Sequence, residues 1–420
     1  MLLYIDPGTG SMLFTVLIGV LGTCGYLLRN VWVRVRFLFS GGIKGKHQEK
    51  DHIPFAIFSD SKRYWNLFEP ICDEFEKRQQ PLVYMTASSD DPALHKEYQY
   101  VKCIFIGEGN RAFMKLNFLQ ADILLSTTPG LDVYQWKRSK GVKWYVHILH
   151  AASDIAMYRM FGIDYYDAVL LSGDYQIRQV RELERLRGLP AKELELVGVP
   201  YLDVMKRRLD NEVALTSHET TILLAPSWGQ SGILSLYGGA IIDALLNTGY
   251  HLIIRPHPQS FDSEKELLDS LLQAYPEGCQ LEWNRDNDNF DVLKHSDILI
   301  SDFSGVIFDY ALIFQKPVLY ADISYDKAPY DACWLGEELW TFTTLPKIGR
   351  QLDKADFSNM KKIIDDLLNN KKYREAIDIA RKETWAHIGE SAALTVDYMI
   401  KKAGDLNVPM RDENEAPNVF

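Results

Sequence analysis

Short apolar runs alternate with helix-period stretches along most of the chain. Phe55 to Phe58, Leu82 to Met85, Val101 to Ile106, Ile123 to Leu125, Trp144 to Leu149, Ala168 to Leu171 and Leu194 to Val197 each read as a strand. Runs this apolar are strands covered on both faces, and helical stretches between several of them predict a parallel sheet with crossover helices. A charged, helix-like connection, "VMKRRLDNEVALTSHE", then leads to a second series. Its strands are expected at Thr221 to Ala225, His251 to Ile254, Cys279 to Leu281, Ile298 to Ile300 and Pro317 to Leu319. The pattern therefore predicts an α/β protein of two facing doubly wound, Rossmann-like domains, residues 52–210 and 219–402. Helices are expected near 356–370 and 372–400, and the polar residues 403–420 read as a mobile tail.

The amino terminus breaks this pattern. "SMLFTVLIGVLGTCGYLL", residues 11–28, carries no charge and is just long enough for a membrane-spanning helix. Arg29, Arg34, Arg36, Lys44 and Lys46 follow it, whereas Asp6 is the only charged side chain before it. A cleaved secretory signal has the opposite asymmetry. Residues 1–46 are thus expected to form a membrane anchor with a basic juxtamembrane segment, and the positive-inside rule puts the rest of the chain in the cytoplasm.

The formal net charge of −11 argues against a nucleic-acid partner, which demands a basic footprint. An anionic substrate must then be met by local cations. The five cysteines are scattered and never form a CxxC pair, so neither a disulfide framework nor a zinc knuckle is indicated.

In open α/β sheets, ligands gather beyond the carboxyl ends of the strands. Three strands of the second domain end in "APSWGQSG" (225–232), "RPHPQS" (255–260) and "SDFSG" (301–305). A helix starting near Ser304 offers unpaired N–H groups to a phosphate oxygen, and Gly305 lets a ligand approach the backbone. Ser304 caps the helix or donates its hydroxyl. Asp302 orients a neighbour or accepts a hydroxyl proton, and Asp309, one turn deeper, is a candidate acceptor for a ribose hydroxyl. Arg255 and His257 flank Pro256 where an apolar strand stops, suiting two-pronged binding of phosphate and proton donation. Ser227 and Trp228 belong to the same donor site, the indole as a platform for a base. In the first domain, His150 closes the strand "KWYVHILH" and is a candidate general base, while His147 reads as a core histidine. "GEGNRA" (107–112) matches a dinucleotide fingerprint, but the next strand ends in "STTPG" without the required acid, so an NAD-dependent oxidoreductase fits poorly.

"APSWG", "RPHP" and "SDFSGVIFD" followed by "QKPVLY" stand in an order that resembles the CDP-glycerol glycerophosphotransferase family. "GVPYLD" (198–203) is similar to that family's segment before its second domain. Two features depart from the family pattern. His150 is followed by "AASD" rather than by the usual Gly and Lys, and Gly229 stands where an arginine is usual. The resemblance implies a GT-B-like fold and a CDP-polyol donor. It also implies a lipid-linked or polymeric cell-envelope acceptor and a single-pass protein of the bacterial inner membrane. No cofactor is required by this scheme, although Mg²⁺ carried by the diphosphate is compatible with it. Rival readings are a GT-B glycosyltransferase using a UDP-sugar and an inactive membrane-bound scaffold or polymer-binding module.

Overall fold

The structure is a computed structural model describing residues 53–212, 218–286, 288–302, 304–321 and 325–407. Its first sheet contains β1 (Ile53–Ser59), β2 (Leu82–Thr86), β3 (Val101–Phe105), β4 (Gln120–Ser126), β5 (Gly141–Ile148), β6 (Ala168–Leu171) and β7 (Glu193–Leu196). They lie in the order β3-β2-β1-β4-β5-β6-β7, with every pair parallel. The second sheet contains β8 (Thr221–Leu224), β9 (His251–Ile254), β10 (Leu281–Trp283), β11 (Ile298–Ser301), β12 (Val318–Ala321) and β13 (Gly349–Leu352). Its order is β10-β9-β8-β11-β12-β13, again all parallel.

Burial on both faces explains the apolar runs. Successive side chains of a strand point to opposite sides, so Phe55 and Ile57 enter one core layer of β1 while Ala56 and Phe58 enter the other. Ile222 and Leu224 divide from Leu223 in the same way along β8. Helix α1 (Trp65–Lys77) covers the first sheet with Leu67, Phe68, Ile71, Cys72 and Phe75, the i, i+1, i+4 spacing of one buried stripe.

Two expectations change. The strand expected at Cys279 to Leu281 forms instead at Leu281–Trp283, because Gly278 and Leu281 close a tight turn on each other first. The expected donor domain, 219–402, also includes a helix that belongs elsewhere. After α2 (Asp174–Arg187), α3 (Pro200–Asn211), α4 (Val306–Asp309, continuing as a π-turn run through Phe314) and α5 (Trp340–Ile348), helix α6 (Lys372–Thr384) leads into α7 (Ser391–Asn407). Val396, Met399 and Ala403 of α7 join the core of the first sheet, so this helix returns to the first lobe. The expected membrane helix in 1–46 lies outside the described residues. Of the mobile tail expected at 403–420, residues 403–407 are instead the last turn of α7, with Ala403 buried against the first sheet's core, and 408–420 lie outside the described residues. Among the described residues, no helix is long and apolar enough to cross a membrane.

Buried carboxylates fasten the crossings between the lobes. Asp203, from "GVPYLD", accepts from Trp385 Nε1 at 2.9 Å, Gly389 N at 2.8 Å and Ser391 N at 3.0 Å, which caps the start of α7. Gly198 has φ of +91° and a Cβ there would meet Ala386 O at 2.3 Å, so this crossing requires glycine. Asp154 accepts from Trp340 N and Thr341 N, both at 2.8 Å, capping α5 from the first lobe.

Candidate active site

The order of each sheet reverses once, between β1 and β4 in the first lobe and between β8 and β11 in the second. These are the switch points at which doubly wound folds bind ligands. The ends of β8 and β11 are "APSWG" and "SDFSG". The ends of β1 and β4 are Asp60 to Tyr64 and Thr127 to Gly130, with His150 just beyond neighbouring β5.

A cavity of ≈ 530 Å³ joins the two lobes. From the first lobe, Tyr64, Gly130, His150 and Tyr158 line it; Gly305 and Phe308 do so from the second. The His150 Nδ1 lies 3.1 Å from Thr127 Oγ1, and its ring packs 5.0 Å from that of Tyr64. Desolvation lowers its pKa to about 4, assisted by the positive charge of Arg63. The imidazole is therefore neutral at physiological pH. His147 is fully buried, as expected for a core residue; its Nε2 lies 3.0 Å from Tyr158 Oη, and burial lowers its pKa to about 3.

Gly305 has φ of −55° and ψ of −23°, inside the helical region. Its glycine identity is not dictated by the backbone, and a Cβ would meet nothing within 4 Å. The position instead leaves open space at the start of α4, on the cavity. Ser304 is half-buried beside it, and its carbonyl accepts from Ile307 N at 3.1 Å.

Asp302, expected to orient a neighbour or to accept a hydroxyl proton, is turned toward the backbone of its own lobe. Its carboxylate is buried and accepts from Ser227 N at 2.8 and 3.1 Å and from Ile233 N at 3.1 Å. Desolvation raises its pKa, and those hydrogen bonds oppose the rise. Asp302 thus orients the 225–233 loop. Ser227 is held through its backbone amide, and Trp228 stands exposed at the loop tip. Gly229 has φ of +96° and donates its amide to Glu264, so a left-handed turn accounts for glycine where the resemblance expects arginine.

His257 lies on this side of the cleft, its ring 6.5 Å from that of Trp228. Gln259 N donates to His257 Nδ1 at 3.1 Å, which leaves Nε2 to carry the proton of the neutral ring. Desolvation lowers the His257 pKa, and the charges of Arg63 and Arg255 add to the effect. Arg255 donates through Nη2 to Asp286 O at 2.8 Å, while its Nε is buried without a hydrogen-bond partner. Asp309 does not line the His150 cavity: its charge bears on Tyr201, and desolvation raises its pKa to about 7. The "QKPVLY" lysine is structural. Lys316 Nζ donates to Lys294 O at 2.7 Å and Ser296 O at 2.5 Å, at the carboxyl end of the helix Phe290–His295.

His150 and Gly305 thus share one cavity, and His257 and Trp228 form a second cluster. Sequence reasoning missed Tyr64 and Tyr158, which line the cavity, and Arg63, whose charge bears on His150. The rule that ligands lie past strand ends pointed toward "SDSKRY" after β1, but only the sheet order marks β1 as the strand at the reversal. Among the described residues, no group of three or more His, Cys, Asp or Glu side chains is placed to hold a metal ion.

Residues 163–335 match the family model of CDP-glycerol:poly(glycerophosphate) glycerophosphotransferase. The stretch includes the loops of Trp228, His257 and Gly305; His150 lies before it. No curated protein gives a significant sequence match. Among solved structures, UDP-GlcNAc 2-epimerase from Neisseria meningitidis is 13% identical with a TM-score of 0.53, the match covering 83% of this chain and 100% of that one. The Methanocaldococcus jannaschii UDP-GlcNAc 2-epimerase is 11% identical with a TM-score of 0.51, covering 83% and 99%. These likenesses establish a shared two-domain, GT-B-like fold.

Proposed function

We propose that this chain transfers a polyol phosphate from a CDP-activated donor to a hydroxyl on a lipid-linked or polymeric cell-envelope acceptor, releasing CMP. Glycerol phosphate is the group we favour. The observation that carries this reading is the cavity shared by His150 and Gly305, which sets a neutral imidazole of one lobe opposite the open start of a helix in the other.

In this mechanism His150 donates Nδ1–H to Thr127 Oγ1, which frees Nε2 as the base. The acceptor hydroxyl gives its proton to Nε2 while its oxygen bonds to the distal phosphorus of the donor. The bond from that phosphorus to the bridging oxygen breaks, and CMP leaves with the electron pair. The α4 amides at Gly305, the Ser304 hydroxyl and His257 Nε2–H steady the diphosphate, fixed donors that need no rearrangement as charge moves. Arg255 and Asp309 form the outer part of the donor site, and Trp228 offers a face to the cytosine. A Mg²⁺ ion would arrive with the diphosphate. The uncharged residues 11–28 and the cations after them support attachment to the inner membrane with the two lobes in the cytoplasm, where an activated nucleotide is available.

The test is to incubate the detergent-solubilised full chain with CDP-glycerol, CDP-ribitol and a panel of UDP-sugars, each with a lipid-linked acceptor. CMP release that depends on acceptor is the expected result. Release of UDP alone would replace this reading with glycosyl transfer, and release of neither would refute it.

A further inference from the structure

The protein is strongly acidic, so the charge of a diphosphate must be met by particular side chains. The turn after β1 holds two cations. Lys62 Nζ pairs with Asp90 on the outer side. Arg63 is exposed, and no carboxylate among the described residues lies within ion-pairing distance of it. Ser61 Oγ accepts from Arg63 Nε at 3.3 Å and from Arg63 N at 3.5 Å, which directs the stem while leaving both Nη groups available. Its neighbour Tyr64 lines the cavity and packs on His150.

We propose that Arg63 is a phosphate-binding residue supplied by the acceptor lobe, gripping oxygens of the phosphoryl group in transit between the two switch points. This rests on the transfer reaction proposed above.

Three observations converge on it. Arg63 follows β1, one of the two strands at which the first sheet reverses. Its turn borders the cavity that reaches Gly305 at the second sheet's reversal. Its positive charge adds to the desolvation that lowers the pKa of His150 in the first lobe and of His257 in the second. Next to Tyr64, which lines the first-lobe wall of the cavity, Arg63 stands where the anionic part of the donor would approach that wall. Guanidinium suits the task because two N–H groups can hold two phosphate oxygens at once, and it stays protonated at any working pH. Around His150 the other titratable groups are Tyr64, Tyr158 and His147; around His257 they are Arg255, Asp302 and Glu264.

The test compares Arg63→Gln and Arg63→Lys in the full chain, with Lys62→Gln as the control. Removing one such donor typically slows turnover by about 100-fold or more, and that is expected of Arg63→Gln, with an unchanged melting temperature. Inorganic pyrophosphate, followed by calorimetry, should bind about 10-fold more weakly to it. His150 and His257, followed by NMR, should both titrate at higher pH in Arg63→Gln and at their original pH in Arg63→Lys, which keeps the charge but not the fork. Lys62→Gln should match wild type throughout. Wild-type pyrophosphate affinity in Arg63→Gln, or histidine titrations that do not move, would overturn the proposal. Absence of CMP release by wild type would instead refute the transfer reaction, because the pyrophosphate and NMR measurements need no turnover.

Discussion

Substitution of Gly305 should move stability and ligand binding in opposite directions. A residue already in the helical region, with room for a Cβ, loses nothing in the native state when glycine becomes alanine. The unfolded chain meanwhile becomes less flexible, so Gly305→Ala should raise stability by about 0.4–1 kcal/mol. The added methyl would project where an anion has to approach the first amides of α4. Loss of one charge-assisted hydrogen bond costs about 1.5–3 kcal/mol, or roughly 10- to 150-fold in affinity. Gly305→Val should deepen that loss. The assay pairs denaturant midpoints with calorimetric binding of CDP and the rate of CMP release. If both variants bind CDP like wild type and turn over at its rate, no anion is received at this helix start and the donor site must be drawn elsewhere. A large fall in stability would refute the account of the local backbone.

Three further outcomes are expected. His150→Asn should lower kcat by about 100-fold or more with CDP affinity within twofold, and the acidic limb of wild-type kcat/KM should not fall near 6.5, because desolvation holds His150 neutral down to about pH 4; a limb at 6.5 would contradict this. Asp309→Asn should be more stable than wild type at pH 8.5, by on the order of 4 kcal/mol, because wild type must ionise a carboxyl whose pKa is raised from 3.8 to about 7; the gain should shrink as pH falls through 7 and vanish below 3.8, and denaturation at several pH values that finds no such trend would refute it. Asp154→Ala leaves the Trp340 and Thr341 amides without their charged acceptor and should cost about 3–5 kcal/mol in chemical denaturation, whereas a loss below about 1 kcal/mol would mean that this contact does not fasten α5.

The strands were legible because each is an apolar run whose two faces both meet a core, a demand written into consecutive residues. β13, "GRQL", escaped notice because it is an edge strand with two polar side chains, and edge pairing with β12 needs little apolar surface. The end loops of β8, β9 and β11 were legible as well, since Gly, Pro, His and Arg gathered after an apolar run mark a place built for something other than packing. Their individual duties were not. Nothing local in the sequence shows that Asp302 and Asp203 are each taken up by backbone amides of distant segments.

By itself, then, the sequence determined the local decisions: strand or helix, buried or exposed, and the chemical kinds available at each strand end. It determined the acidic balance too, which forces any anionic ligand onto a few cations. Tertiary structure alone decided strand order, and with it the two reversal points and the meeting of Tyr64, His150 and Gly305 around one cavity. It also sent α7 back to the first sheet. The physical reason is distance along the chain: strand order and lobe-to-lobe contact arise from the burial of faces contributed by residues far apart, and no local pattern records which faces will meet.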